Sequence, residues 1–215
     1  IRDISPSKNL GVINNFYYAL SQCKGKYIAL CEGDDYWIDE NKLQCQVDYL
    51  EKNLEYGLVY TAMKNYLQRK QKYFHAGRET NLSQLLSDTN YIGTLTTCFR
   101  KELYLNYVNE IKPQTKMWLM GDYPLWLYIA YHSKIYFINR ETAVYRILDN
   151  SASHFTDIDK NIRFRKSVYD IKKFYQELYG INTDISWDES IYYIPMHFEN
   201  RDWQLLRNYT GVITR

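Results

Sequence analysis

The sequence lacks any large excess of charge of one sign. Its 27 lysines and arginines nearly balance its 25 aspartates and glutamates, which gives a formal net charge of +2 at pH 7. Proteins that bind nucleic acid through a broad basic surface usually carry a clear positive excess. Composition therefore gives no reason to expect a nucleic-acid partner, and we predict none.

The sequence also lacks the paired cysteine spacing of a zinc site. Each of its four cysteines lies in an apolar segment, where a reduced, buried thiol is the expected state: Cys23, Cys31, Cys45 and Cys98. No run approaches the roughly 20 apolar residues of a membrane span, and the start shows no basic-then-apolar leader. These absences favour a reducing compartment and predict a cytoplasmic chain that at most contacts the inner face of the cell membrane.

Enough apolar residues are present for one globular domain with a substantial core, because 46% of the 215 residues are hydrophobic and 17% are aromatic. Apolar residues recur at helical spacing in Asn9–Cys23 and in Leu43–Leu54. Continuous apolar stretches at Tyr27–Cys31 and Leu58–Thr61 are typical of strands covered on both faces. This order predicts an α/β fold with a mostly parallel sheet flanked by helices.

Farther along the chain, the pattern predicts a loop or irregular hairpin and then further helices and strands. The hairpin region is 64–80; helices are predicted at 81–87, 101–109, 122–132, 157–179 and 187–209, and strands at 91–100, 135–138 and 143–147. We predict two regions, a main domain at 1–155 and a helical C-terminal extension at 156–215.

A cluster of three carboxylates around one glycine follows the first predicted strand. These are Glu32, Asp34 and Asp35, within the stretch Lys26–Trp37. Parallel sheets bind ligands beyond the carboxyl ends of their strands, where these side chains would emerge. Neighbouring carboxylates repel one another, and a hard divalent cation relieves that repulsion. The cluster therefore predicts a metal site, and the alternative is a solvated acidic turn before the next helix.

A second acidic position lies at the predicted start of a helix. Asp122 follows Gly121 and precedes Pro124, which is tolerated in the first helical turn. A carboxylate at this place either caps the helix or accepts a proton in catalysis, and the two roles can coexist.

Several short motifs occur in one order between Asn9 and Phe155. They are Asn9–Gly11 with Asn15, Lys24–Ile28, Glu32–Trp37, Lys42–Leu43 with Gln46, Thr96–Arg100, Gly121–Leu125, and Tyr145–Arg146 with Ser151 and Ser153. Together they resemble the family 2 glycosyltransferases of the GT-A fold, especially bacterial enzymes that build surface polysaccharides. The resemblance implies a GT-A-like sheet flanked by helices and an inverting, metal-dependent hexosyltransferase-like enzyme of capsule, lipopolysaccharide or other exopolysaccharide synthesis.

The resemblance also implies substrates and an ion. The donor would be a nucleotide-diphosphate sugar, most simply linked to UDP, and the acceptor a hydroxyl of a saccharide or a lipid-linked saccharide. Mn²⁺ or Mg²⁺ would bind at Glu32 and Asp34, since oxygen ligands and phosphate suit these ions. Asp122 would be the catalytic base.

Donor-binding residues are also implied by the resemblance. They are Asn9, Gly11, Asn15, Asp35 and Arg146. The guanidinium of Arg146 suits the donor diphosphate or, equally, a carboxylate that it would brace.

The chain departs from the family pattern in two places. Nothing in it matches the family's amino-terminal strand and helix or the acidic motif that follows them, so we expect the nucleotide-binding portion to be missing and the donor site to be half built. Leu148 stands where relatives often carry histidine, and His154 is a candidate replacement. Two other functions therefore stay open: a non-catalytic sugar-binding or assembly module derived from such an enzyme, and a nucleotidyltransferase-like metalloenzyme.

The C-terminal extension is predicted to serve assembly, as in a homo-oligomer, or peripheral membrane contact. Its helix combines an apolar stripe with basic residues that suit anionic lipid headgroups, and the alternative is an ordinary solvated face. The basic residues are Lys160, Arg163, Arg165, Lys166, Lys172 and Lys173.

Overall fold

The computed structural model describes residues 2–148 and 158–190. The helices are α1 (Val12–Ser21), α2 (Lys42–Lys52), α3 (Leu82–Ser87), α4 (Lys101–Ile111), α5 (Asp122–His132) and α6 (Ile158–Tyr179). The strands are β1 (Tyr27–Ala29), β2 (Tyr36–Trp37), β3 (Tyr56–Leu67), β4 (Lys72–Ala76), β5 (Cys98–Arg100) and β6 (Lys134–Ile147). Short 3-10 turns occupy Gln68–Lys70, Thr94–Thr96 and Pro113–Thr115.

The strands form one sheet in the order β1-β5-β3-β6-β2, and β4 pairs with β3 outside this path. The predicted α/β fold, a sheet flanked by helices, is confirmed. Strand direction is corrected: among the described pairs only β3 and β6 are parallel, and the others are antiparallel. The reason is the length of the connections, since β4 follows β3 after one short turn and must run back, whereas helices separate β3 from β6.

Strand β3 is longer than its apolar core predicts. It continues through the polar residues up to Leu67 and forms a hairpin with β4, with Met63 opposite Ala76 and Leu67 opposite Lys72. The hairpin alternative for 64–80 is therefore the one observed. The two strands predicted at 135–138 and 143–147 are one strand, β6, which pairs along β3 with a register shift near Ala62.

Helix α2 buries only part of the predicted apolar stripe Leu43, Val47, Leu50 and Leu54. Leu50 is buried and Val47 packs against its cluster, but the two ends of the stripe are 38% and 77% exposed. Lys42 and Gln46, which precede Leu50 at intervals of four residues, are buried as well. Hydrogen bonds of the two polar side chains explain why this face can be buried, because buried polar groups require partners.

The core beneath the sheet includes Leu50, Val59 and Cys98. Helix α5 is buried from Tyr123 to Ile129, so it lies inside rather than on the surface. The cysteines in the described residues are free, as predicted, but the expectation of buried thiols holds only for Cys98: Cys23 and Cys45 are partly buried, and Cys31 is exposed. Cys31 follows the end of β1, where the chain leaves the sheet.

The described residues group into two compact units, one made of 2–85 with 90–148 and the other of 86–89 with 158–190. The predicted boundary at 155–156 lies outside the described residues, as do His154 and the predicted helix beyond residue 190. Among the helices that the structure describes, none is long and apolar enough to cross a membrane.

In the second unit, α6 ends at Tyr179 and is followed by Gly180 with φ 63°, a conformation that suits glycine. Lys172 differs from the predicted basic surface because it is buried and its ammonium group lies 2.5 Å from the Asp188 carboxylate. It also donates to the carbonyl oxygen of Asp88. Lys172 therefore does not belong to a surface for lipid headgroups.

Candidate active site

The acidic loop, residues 30–35, connects β1 to β2. A backbone hydrogen bond from the Asp35 amide to the Glu32 carbonyl oxygen, 3.1 Å long, closes a tight turn. This turn holds the three carboxylates of the loop directly after β1, and their role as a site stays a prediction. Asp34 lies close enough to Asp35 to act electrostatically on its carboxylate.

The Glu32 carboxyl group lies in surroundings that disfavour its charge. The residue as a whole is exposed, but protein atoms around the carboxyl group displace water, and this burial raises its pKa to about 7. Negative charge on Asp35 and Asp122 acts in the same direction. Hydrogen bonds from its own amide and from the Thr94 side chain partly offset the increase. Glu32 and Asp122 are thus near neighbours although 90 positions separate them.

Asp35 ties the acidic loop to strand β6. One of its carboxylate oxygens accepts a 2.8 Å hydrogen bond from the backbone amide of Arg146. The pKa of Asp35 is raised to about 6, mainly by burial and also by the charge of Asp34, although the amide and charge of Arg146 act in the opposite direction. The pairing of Tyr36 with Val144 explains this meeting, because it aligns β2 with the end of β6.

Asp122 is the first residue of α5 and not its cap. Gly121 occupies the N-cap position, and no side-chain hydrogen bond caps the helix. Instead, one Asp122 oxygen accepts a 2.8 Å hydrogen bond from the Thr94 hydroxyl. The capping interpretation of Asp122 is therefore not what the structure shows, and its carboxylate faces the acidic loop.

Helix α1 fixes where α5 begins. A Cβ atom on Gly121 would lie 2.5 Å from the Phe16 ring, so only glycine fits there. The Tyr17 hydroxyl also approaches the Gly121 carbonyl oxygen, at 3.5 Å, and lies 3.1 Å from the Tyr107 hydroxyl. This packing sets the position of Asp122, which follows directly.

The other predicted donor-binding residues lie at the start of α1. The Asn9 side chain accepts a 2.8 Å hydrogen bond from the amide of Gly11, and the amide of Asn15 donates to the carbonyl oxygen of Gly11. Gly11 has φ 75°, which explains the need for glycine at this N-cap. These bonds shape the entrance of α1, and the predicted donor contacts of the three residues stay predictions.

Glu32, Asp34, Asp35 and Asp122 are called the acidic site below. Oxygen donors of this kind suit a hard divalent cation. In the described part of the chain, no three histidine, cysteine, aspartate or glutamate side chains are grouped closely enough to hold a metal ion by themselves. Magnesium is usually bound by one or two carboxylates together with substrate phosphates, so the residues present fit a cation shared with a diphosphate.

Three side chains behind the acidic loop belong to motifs that carry the family resemblance, but the sequence alone assigned them no role. The Trp37 indole donates to the Leu95 carbonyl oxygen at 2.9 Å. Lys42 lies 4.6 Å from the Trp37 ring centre and donates to the Gln46 side chain. Gln46 in turn donates to the Thr96 carbonyl oxygen at 2.8 Å. Together they hold the turn Thr94–Thr96 against the sheet.

Lys42 is notable because it is 1% exposed and has no carboxylate among its hydrogen-bond partners in the described residues. Burial lowers its pKa to about 8, while Asp39 and the thiols of Cys31 and Cys98 act in the opposite direction. Its spacing of four residues from Gln46 was a visible signal, but a lysine normally marks the solvated face of a helix.

A family model, glycosyl transferase family 2, matches residues 1–109. The matched stretch is slightly more than half of the 215 residues. It contains the acidic loop and Thr94 and ends before Asp122, so the approach of Asp122 to the loop is an independent structural finding.

The chain is also similar to uncharacterized proteins from Mycobacterium bovis and from two strains of Mycobacterium tuberculosis. Each is 52% identical over 54 residues, which make up 25% of this chain and 16% of the relative. The similarity thus spans a small part of those longer proteins. With the family model matching more than half of its length, and with an α/β sheet that places an acidic loop beside Asp122, the chain belongs to glycosyl transferase family 2.

Proposed function

We propose that this chain transfers a sugar from a nucleotide-diphosphate sugar to an acceptor hydroxyl, with inversion and with a divalent cation. Family membership supports glycosyl transfer as the class of reaction. The observation that carries the proposal is the meeting of Asp122 with Glu32 of the acidic loop, with Thr94 between them. One end of the sheet thus offers oxygen ligands and a separate carboxylate that can accept a proton.

Glu32 and Asp34 are the residues proposed to hold Mn²⁺ or Mg²⁺, which they would share with the diphosphate of the donor. The ion supplies Lewis-acid stabilisation of the negative charge that develops on the leaving diphosphate. Asp35 holds the loop to β6 through the Arg146 amide, which keeps the ligands at the end of the sheet. The Arg146 guanidinium is proposed to bind the diphosphate.

Asp122 is the proposed general base. As the acceptor oxygen attacks the anomeric carbon, its proton passes to the Asp122 carboxylate while the bond from that carbon to the diphosphate breaks. This single displacement inverts the anomeric configuration and needs no covalent enzyme intermediate. The position of Asp122 on the buried helix α5 supports this role, because a rigid helix holds the base at a constant place.

The finer assignments belong to the same proposal. We propose a UDP-linked donor, a saccharide or lipid-linked saccharide acceptor and a role in bacterial surface-polysaccharide synthesis. Donor contacts at Asn9, Gly11 and Asn15 are included, and so are a homo-oligomeric state and peripheral contact with a membrane. Binding to anionic vesicles, measured by flotation, tests the last of these.

The experiment that tests the function begins with calorimetric titration of UDP into the chain, with and without Mn²⁺. We expect binding that depends on Mn²⁺ and that Asp34→Asn abolishes, because this change removes a charged ligand and keeps its shape. Lys26→Gln is a matched surface control, since Lys26 pairs with the exposed Glu51.

Release of UDP from UDP-glucose and UDP-N-acetylglucosamine then reports turnover. Metal-dependent binding of UDP without any turnover in the presence of acceptors would favour the non-catalytic sugar-binding module. Binding of UDP that is unchanged by Mn²⁺ and by Asp34→Asn would refute the assignment of Asp34 as a metal ligand.

A further inference from the structure

The Thr94 hydroxyl lies between the proposed base, Asp122, and the proposed metal ligand, Glu32. It donates to one oxygen of Asp122 at 2.8 Å, and its side chain lies close enough to the Glu32 carboxyl group to lower the pKa of that group. A threonine hydroxyl has one proton, so it donates to one carboxylate at a time. The donated bond to Asp122 directs that proton to the proposed base.

We propose that Thr94 is a positioning residue for sugar transfer, and that its hydroxyl fixes the Asp122 carboxylate so that the other oxygen receives the acceptor proton. This inference rests on the proposed function. In it, oxygen Oδ2 of Asp122 is held by Thr94, and oxygen Oδ1 faces the acceptor hydroxyl. A carboxylate on a rotatable side chain loses efficiency as a base unless a partner of this kind fixes its orientation.

The turn that carries Thr94 is held by the segment that follows the acidic loop. Trp37 binds the carbonyl oxygen of Leu95, and Gln46 binds that of Thr96. Gln46 also donates to the carbonyl oxygen of Val59 in the centre of the sheet. The segment that follows the proposed metal ligands therefore also positions Thr94. These shared hydrogen bonds keep the acidic loop and the proposed base at a constant distance from each other.

Hydrogen bonds between residues of the turn itself also stabilise it. The Thr96 hydroxyl donates to the Gly93 carbonyl oxygen at 2.6 Å, and the Thr97 hydroxyl donates to the Thr94 carbonyl oxygen at 2.8 Å. A Cβ atom on Gly93 would lie 2.8 Å from the sulfur of Met63, so the turn packs tightly on β3. In the described residues the hydroxyls of Thr96 and Thr97 donate only to carbonyl oxygens of the turn, whereas the Thr94 hydroxyl donates to Asp122 outside it.

The test compares three substitutions. Thr94→Val keeps the shape and removes the hydroxyl, Thr94→Ser keeps the hydroxyl, and Thr97→Val removes a hydroxyl that serves only the turn. Turnover is followed by UDP release from UDP-glucose and UDP-N-acetylglucosamine with Mn²⁺. We expect Thr94→Val to lower kcat on the order of 100-fold with KM for the donor unchanged. Thr94→Ser and Thr97→Val should retain most of the wild-type kcat.

Three kinetic outcomes would overturn the inference. Thr94→Val with the kcat of the wild type would show that the hydroxyl does not matter, and Thr97→Val with an equal loss would show that Thr94 only maintains the turn. A rise in KM with constant kcat would also contradict it, because such a change would place Thr94 in donor binding.

Crystal structures keep the inference separate from the proposed function. If the wild type releases no UDP from either donor, turnover cannot test the inference. The position of the Asp122 carboxylate in crystal structures of Thr94→Val and Thr94→Ser then tests whether Thr94 positions it. A carboxylate that rotates in the valine variant and stays in place in the serine variant supports the positioning role. An unchanged carboxylate in Thr94→Val overturns it. Full turnover in Asp122→Asn, by contrast, would refute the base assignment of the proposed function.

Discussion

Two clusters of charge in this protein are compensated in opposite ways. In the second unit, the Lys172 ammonium lies 2.5 Å from the Asp188 carboxylate, and both groups are buried. In the acidic site, the negative charges of Asp35 and Asp122 both raise the pKa of the Glu32 carboxyl group. The two charges of the ion pair neutralise each other, whereas the carboxylates of the acidic site outnumber the one nearby cation, Arg146, that acts on Asp35 in the described residues.

This difference in charge compensation distinguishes a structural role, that of the ion pair, from a functional role, that of the acidic site. A buried ion pair that is fully partnered contributes to holding the chain in one arrangement, and nothing more needs to bind it. Carboxylates kept together against their repulsion indicate a site that another charge completes, which is common where ligands bind. We therefore expect changes in the acidic site to affect chemistry and changes in the ion pair to affect stability.

The largest effect is expected for Asp122→Asn. The amide keeps the size of the side chain and can still accept the Thr94 hydrogen bond, but it cannot accept a proton at neutral pH. We expect turnover of UDP-sugars to fall by a factor on the order of 10²–10⁴, the usual contribution of a general base. Calorimetry should show UDP binding with Mn²⁺ as in the wild type, and thermal unfolding should be nearly unchanged.

At the ion pair of Lys172 and Asp188, we expect a substitution to affect stability rather than activity. Lys172→Met leaves Asp188 buried without its charged partner and should lower the free energy of unfolding by about 3–5 kcal/mol. Urea unfolding at pH 7 measures this. The double variant Lys172→Met with Asp188→Leu should recover much of the loss, because it removes both charges. A single variant as stable as the wild type would show that the pair contributes little.

The buried Lys42 gives a pH-dependent effect of intermediate size. Its folded-state pKa of about 8 lies below the ordinary 10.5, so the unfolded chain binds more protons between these values, and stability rises with pH there. From pH 7.5 to 10 the contribution should increase by about 2 kcal/mol.

The check on Lys42 is the difference in unfolding free energy between the wild type and Lys42→Met. Subtracting the variant cancels the opposite effect of buried tyrosines such as Tyr60 and Tyr104, whose pKa values burial raises. A difference in unfolding free energy that stays constant between pH 7.5 and 10 would show that the pKa of Lys42 is not lowered by burial.

The smallest effect is expected for Glu32→Gln without metal. The folded-state pKa of Glu32, about 7, lies above the ordinary 4.5, so the folded chain binds more protons between these values. The stabilising contribution of Glu32 is full below pH 4.5 and is lost as the pH rises through 7. At pH 8 the variant should therefore be more stable than the wild type, by at most about 1 kcal/mol because the residue is exposed and screened.

Added Mn²⁺ sharpens this last comparison. The ion should raise the melting temperature of the wild type more than that of Glu32→Gln, since the proposed ligand is charged only in the wild type. Equal responses of the two proteins to Mn²⁺ would argue against Glu32 as a ligand.

Element types were largely predictable because they depend on local spacing. Helix α5 begins at Asp122 and ends at His132 as predicted, since Pro124 marks a first helical turn and an apolar run follows. Helix α4 likewise starts at the predicted Lys101. The buried face of α2 was not predictable, because Gln46 and Lys42 are buried only if carbonyl oxygens and a ring from other elements lie beside them.

The sequence by itself determined the acidic loop and the type of most helices, because each depends on neighbouring residues. Only the tertiary structure decided how the strands pair and that Asp122, the proposed base, lies near the acidic loop. Thr94 and Asp122 are 28 positions apart, and their contact depends on how β2, β3 and α2 hold the turn Thr94–Thr96. Contacts of this range follow from strand pairing and packing, which local patterns of side chains do not specify.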